Sequence, residues 1–192
     1  MKVLAVSGSL RAGSHNTRLL EEAAAAAPAG VEVELFDPAL VAALPLYDQD
    51  LDTEDAPASV RRLREAWAGA DALLVATPEY NGSIPGGLKN AIDWASRPKL
   101  DAALTNKTVA VIGASTGQFG AMWAQQDLKK VLGIAGARVA GDVLPVARAH
   151  EGMPDLLHEQ LRGVFELLES ELLQSEQGPR VSTAPEPVTS WV

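Results

Sequence analysis

The stretch Val3-Leu4-Ala5-Val6-Ser7-Gly8-Ser9-Leu10-Arg11-Ala12-Gly13-Ser14-His15-Asn16-Thr17 decides the fold. Its first four residues are an unbroken apolar run, which reads as a strand covered on both faces, as in a parallel sheet between helices. A turn of small and hydroxyl residues with one arginine follows and leads straight into a helical pattern. Helix-start N–H groups are unpaired and carry the positive end of the helix dipole. Serine hydroxyls and a guanidinium add charge-assisted donors, so the turn has the composition of a phosphate site. Gly8 and Gly13 let the backbone come close to an anion.

The same unit recurs along the chain. Val31 to Phe36, Ala72 to Ala76 and Val109 to Ile112 are further apolar runs, with Arg138 to Leu144 a weaker fifth. Helical segments fall between them at Asn16 to Ala27, Pro57 to Ala68, Gly87 to Ala95 and Ala121 to Leu132. A last helix carries one apolar stripe through Leu157, Leu161, Val164, Phe165, Leu168 and Leu172, spaced to pack on a sheet. Alternating β-α units predict an α/β fold, a doubly wound five-stranded parallel sheet with helices on both faces. Five such strands leave two candidate orders, of which the flavodoxin-like 2-1-3-4-5 sets the ligand crevice at the carboxyl ends of strands one, three and four. The domain is expected to span residues 1–173. Residues 174–192, with Pro179, Pro185 and Pro187, read as an extended tail whose apolar end, Trp191-Val192, either docks on a neighbouring subunit or is weakly held.

Composition narrows the function. The 192 residues hold 16 Lys+Arg against 25 Asp+Glu, a net charge of −9, and lack the basic stripe a nucleic-acid binder needs. With no cysteine, thiol nucleophiles, thiolate metal sites and dithiol redox chemistry are excluded, so redox work requires a bound cofactor. The apolar stretches are too short for a secretion signal or a membrane span, which leads us to expect a cytoplasmic protein without a membrane partner. His150 and His158 lack the i, i+4 spacing of a helical metal site, and no metal is expected. His15 is expected to face solvent.

The Gly8 to Gly13 spacing mimics a nucleotide hydrolase loop, but Ser14-His15 stands where Lys followed by Ser or Thr is required. The dinucleotide fingerprint Gly-x-Gly-x-x-Gly is also missing, which leaves a phosphomonoester held without a metal. After the third run, Thr77-Pro78-Glu79-Tyr80-Asn81-Gly82-Ser83-Ile84-Pro85-Gly86-Gly87 offers exposed backbone and apolar contact suited to a flat heteroaromatic ring. After the fourth, Gly113-Ala114-Ser115-Thr116-Gly117-Gln118-Phe119-Gly120 supplies a third loop at the same edge. One phosphate-like loop and two ring-like loops point to a mononucleotide cofactor such as FMN.

Gly8-Ser9-Leu10-Arg11 through Asn16, with Pro78-Glu79-Tyr80-Asn81 and Ile84-Pro85-Gly86-Gly87-Leu88-Lys89-Asn90-Ala91-Ile92-Asp93-Trp94, resembles the NAD(P)H-dependent FMN reductase family. Leu44-Pro45-Leu46-Tyr47-Asp48 is similar to a further family segment, and the likeness runs from residue 1 to about 135. The resemblance implies a flavodoxin-like enzyme that binds FMN and uses NAD(P)H to reduce quinones, azo dyes, chromate or free flavin. It implies that Ser9, Arg11, Ser14, Asn16 and Thr17 hold the FMN phosphate. Pro78, Glu79, Tyr80 and Asn81 would line the ribityl chain and ring, and Ser115, Thr116 and Gly117 complete the ring site.

A Glu79 carboxylate beside the ring would oppose the charge that develops on reduction, so its backbone is expected to bind and its side chain to pair with Lys89. Trp94 and Trp123 are expected in the core or at a subunit interface. The implied mechanism is ping-pong, with the chemistry on the flavin and no acid–base side chain named. Two alternatives stand beside it: a flavodoxin-type electron carrier without NAD(P)H activity, and a non-flavin enzyme acting on a nucleotide or sugar phosphate. The resemblance also implies a homodimer or homotetramer.

Overall fold

A computed structural model describes residues 1–98 and 101–176. The order of elements is β1 (Lys2–Ser7), α1 (His15–Ala26), β2 (Glu32–Leu35), α2 (Pro38–Ala42), a 3-10 turn (Gln49–Leu51), α3 (Ala58–Ala68), β3 (Ala72–Ala76) and α4 (Gly86–Ala95). There follow β4 (Thr108–Ala114), α5 (Met122–Ile134), β5 (Arg138–Val139), β6 (Leu144–Val146) and α6 (Leu157–Glu176). The strands run parallel in the order β2-β1-β3-β4-β5, as the sequence predicts, and β6 also pairs with β4. Val3 lies opposite both Val33 and Ala72, and Leu73 opposite Val109.

Alternate residues of the central strands feed two separate cores, because successive side chains leave opposite faces of a sheet. Leu4, Val6, Leu73, Val75, Val109 and Val111 meet α3, α4 and α5 through Leu63, Trp67, Trp94 and Leu128. Val3, Ala5, Leu74 and Ile112 meet α1 and α6 through Leu19, Leu20, Leu161 and Phe165. Each such fully buried large side chain contributes about 1.5–3 kcal/mol of transfer free energy. Trp94 belongs to this core, whereas Trp123 is half-exposed and packs edge-on against Phe119.

The structure corrects two boundaries. The predicted fifth strand over Arg138 to Leu144 is two short strands, broken at Gly141, whose φ of +62° ends the extended backbone. Helix α6 runs to Glu176, so Gln174, Ser175 and Glu176 continue the helix into what the sequence reads as tail. The rest of that tail, including Trp191-Val192, lies outside the described residues.

The backbone is tightest where α5 approaches β6. Gly120 has φ +56°, and a Cβ there would stand 2.7 Å from the backbone of Pro145 and Val146. Gly120→Ala is expected to cost about 3 kcal/mol or more, read as a fall in thermal melting temperature.

Candidate functional site

All three loops leave the carboxyl edge of the sheet, and the first is built around the start of α1. Ser14 caps that helix, its Oγ accepting from the Asn16 N–H at 3.1 Å and the Thr17 N–H at 3.3 Å. The hydroxyl keeps its own proton to donate. Ser9 Oγ accepts from the Arg11 N–H at 3.4 Å, and Arg11 Nη2 donates to the Gly13 carbonyl at 2.9 Å, folding the guanidinium over the loop. Thr17 Oγ1 lies 3.0 Å from Ser7 Oγ. The N–H groups of Leu10, Ala12 and Gly13 make no hydrogen bond within the described residues. Ser9, Arg11, Gly13, Ser14 and Thr17 line a cavity of about 700 Å³ that extends along α1, and the half-buried His15 shares its wall.

Asn16, expected beside the phosphate, spends its amide elsewhere. Its Nδ2 donates to the Ala114 carbonyl and its Oδ1 accepts from the Ala114 N–H, both at 2.9 Å. The side chain is buried and braces α1 against the end of β4.

The second loop lies directly beside the first. A Cβ on Gly8 would come within 2.9 Å of Leu88 Cδ2 and 3.2 Å of the Ala76 carbonyl, so glycine permits this approach. Asn81 and Gly82 have φ of +54° and +74°, the two left-handed positions of a tight turn. Reciprocal bonds close it, Tyr80 N–H to Ser83 O at 3.0 Å and Ser83 N–H to Tyr80 O at 3.1 Å. Within the described residues the N–H groups of Glu79 and Asn81 have no partner, and Tyr80 is half-exposed.

The expected Glu79–Lys89 pair does not form. Lys89 pairs with Asp93 at 2.7 Å, one turn along α4, which is the nearer carboxylate on that helix. The Glu79 carboxylate instead accepts the Ala124 N–H in the first turn of α5 at 3.0 Å. Ser83 Oγ donates to the Asp127 carboxylate at 2.5 Å. The hydrogen bonds from Lys130 and then Ser83 hold the Asp127 carboxyl below the usual carboxylate range.

The third loop is pinned by a segment in which the sequence shows no signal. The Ser115 N–H donates to Val146 O, the Ala149 N–H to Ser115 O and the Arg148 N–H to Gly117 O, at 3.0–3.1 Å. Ser115 is thereby fixed while Thr116 and Gly117 stay exposed. Beneath it the fully buried Gln125 donates from Nε2 to the Gly120 carbonyl, and a Cβ on Gly113 would stand 2.7 Å from the same Nε2.

Two segments quoted from the sequence prove to be contacts of one another. Asn90 Nδ2 and Trp94 Nε1 both donate to the Pro45 carbonyl at 2.8 Å, and Asn90 Oδ1 accepts from the Tyr47 N–H at 2.8 Å. Among the described residues no cluster of three metal-ligating side chains forms, and His158 is bonded to Glu22.

A parallel sheet of this order, with a donor-rich loop at its first helix and two small-residue loops beside it, defines a flavodoxin-like α/β protein. Residues 1–151 match the family model described as NADPH-dependent FMN reductase, and the chain belongs to that family and is an oxidoreductase. It is 48% identical over 132 residues, 69% of each chain, to the NAD(P)H-dependent FMN reductase of Pseudomonas aeruginosa. It is 41% identical over 133 residues, again 69% of each, to the quinone reductase of Escherichia coli K12. Among solved structures, the flavoenzyme NAD(P)H:(acceptor) oxidoreductase FerB of Paracoccus denitrificans superposes with a TM-score of 0.76 at 35% identity, covering 88% of this chain and 98% of its own.

Asn16→Ala would leave the N–H and carbonyl of Ala114 without their partner. We expect a loss of about 2–4 kcal/mol, read as a lowered urea midpoint at unchanged slope.

Proposed function

We propose that the chain binds FMN across these three loops and passes reducing equivalents from NAD(P)H to quinone, azo, metal-oxyanion or free flavin acceptors. The observation that carries this reading is the first loop. Residues with free N–H groups, Leu10, Ala12 and Gly13, line one cavity with Ser9, Ser14 and Arg11, and the cavity runs on along α1 to Glu21 and Glu22. That donor set fits a phosphate dianion and needs no metal.

When bound, FMN supplies reversible hydride acceptance, which no side chain in this chain can perform. Ser9, Arg11, Ser14 and Thr17 would hold the phosphate, with Asn16 bracing the loop from behind. The turn Pro78, Glu79, Tyr80 and Asn81 would present the Glu79 and Asn81 N–H groups to the acceptor edge of the ring. Ser115, Thr116 and Gly117 would bound its other side. Placing N–H donors rather than carboxylates against that edge favours the negative charge that accumulates there on reduction. NAD(P)H and then the acceptor would use the same open face in turn.

The chain would work as a homodimer or homotetramer in the cytoplasm. In support of assembly, Tyr80, Phe119 and Trp123 expose large apolar surface beside the site. No helix among the described residues is long and apolar enough to cross a membrane.

The test is a visible spectrum of the protein mixed with FMN and desalted, followed by NADPH and then NADH without oxygen. Retained flavin that bleaches is expected; retained flavin that neither donor bleaches would favour an electron carrier. Arg11→Ala is expected to weaken FMN binding about tenfold, because it removes one charge-assisted pair to the phosphate. Unchanged affinity by fluorescence titration would remove Arg11 from the site.

A further inference from the structure

We propose that Glu79 and Ser83 are positioning residues, a two-point clamp that ties the Asn81–Gly82 turn to α5 and so fixes where the Glu79 and Asn81 N–H groups meet the flavin ring. The proposal rests on the FMN reading above and adds to it what holds the ring-side loop in place.

The two bonds flank the turn. Before it, the Glu79 carboxylate accepts the Ala124 N–H at 3.0 Å; after it, Ser83 Oγ donates to Asp127 at 2.5 Å. Ala124 and Asp127 are three residues apart and share one face of α5. Among the described residues the turn itself is closed only by the reciprocal Tyr80–Ser83 pair, and both of its central residues have left-handed backbone. A two-residue turn with one closing pair swings readily unless something outside it fixes its plane.

Helix α5 is suited to be that reference. Its cap residue, Ala121, lies in the left-handed region, φ +61°, and makes no side-chain capping bond. Its first turn therefore has an open N–H for an outside acceptor. The helix is anchored independently of the loop, through Leu128 and Leu132 buried in the core.

The arrangement also places the charge. A carboxylate free beside the ring would resist flavin reduction, whereas on the N-terminal turn of α5 it is complementary to the helix dipole. The loop thus carries a glutamate while offering the ring only backbone donors.

The experiment uses the full chain loaded with FMN and measures FMN affinity and the visible band shape of the bound flavin. Glu79→Ala is expected to raise the dissociation constant about tenfold and alter the band shape, and Glu79→Gln, which keeps an acceptor for the Ala124 N–H, to stay within about threefold of the parent. Ser83→Ala, breaking the other point, is expected to weaken binding by about threefold to tenfold. A simple helix cap would instead lower the apoprotein melting temperature in Glu79→Ala while leaving affinity and spectrum unchanged, and that result overturns the clamp. Equal losses in Glu79→Ala and Glu79→Gln would assign the effect to charge and also overturn it. Should Glu79→Ala fail to fold, parent-like affinity in Ser83→Ala overturns the proposal and a loss there supports it. A parent protein that retains no FMN would remove the FMN reading, and the clamp with it.

Discussion

The paired hydrogen bonds between the buried Asn16 amide and the backbone of Ala114 hold the site together. They join the first turn of α1 to the end of β4, across 98 residues of sequence, at the point where two of the three loops diverge. An amide is suited to this because it matches a peptide group donor for acceptor, much as a neighbouring strand would. The first loop is thereby held at a fixed height above the sheet.

With that height fixed, the rest of the crevice is a matter of helix ends. Helices α1, α4 and α5 all start at the same edge, so their positive ends gather there in a chain whose net charge is −9. They differ in how those ends are satisfied. Ser14 caps α1 with a hydroxyl that retains a proton to give away, Glu79 reaches the first turn of α5 with a carboxylate oxygen, and α4 has no side-chain cap. The acidic surface and the anion-binding edge therefore coexist, because the attraction is local and made of oriented N–H groups rather than of excess lysine and arginine.

Local signals in the sequence account for the parts of the fold that depend on neighbours in the chain. Ala72 to Ala76 appears as a strand with the predicted limits because five apolar residues buried on both faces leave no periodicity to misread. The parallel sheet and the donor loop after Val6 follow from β-α alternation and from helix-start chemistry, while the choice between the two strand orders that alternation allows rests on the family resemblance. What could not be read depends on partners far along the chain. Glu79 is locally within reach of Lys89, and only the folded position of α5 shows that Ala124 is the better partner. Asn16 looks like one more polar residue in a phosphate loop until β4 is set beside it. Likewise Pro45 and Trp94 belong to separate motifs whose joint occurrence is explained only by the bonds between them.

The broken fifth strand follows the same logic. Strand β5 pairs with the lower half of β4, at Thr108 and Val109, and β6 with its upper half, from Ile112 to Ala114, so the two do the work of one strand with a kink at Gly141. Leu167 of α6 lies against the bend, and it is the φ of +62° at Gly141 that favours glycine there. After the kink the chain does not stop at the sheet edge. Val146, Arg148 and Ala149 carry the ladder onto Ser115 and Gly117, and the backbone at Pro145 and Val146 presses on Gly120 just before α5. One short segment thus fixes both the third loop and the start of the helix that receives Glu79 and Ser83. Weak strand character between Arg138 and Leu144 matches the break, and it is the backbone after the break that supplies the partners of Ser115 and Gly117.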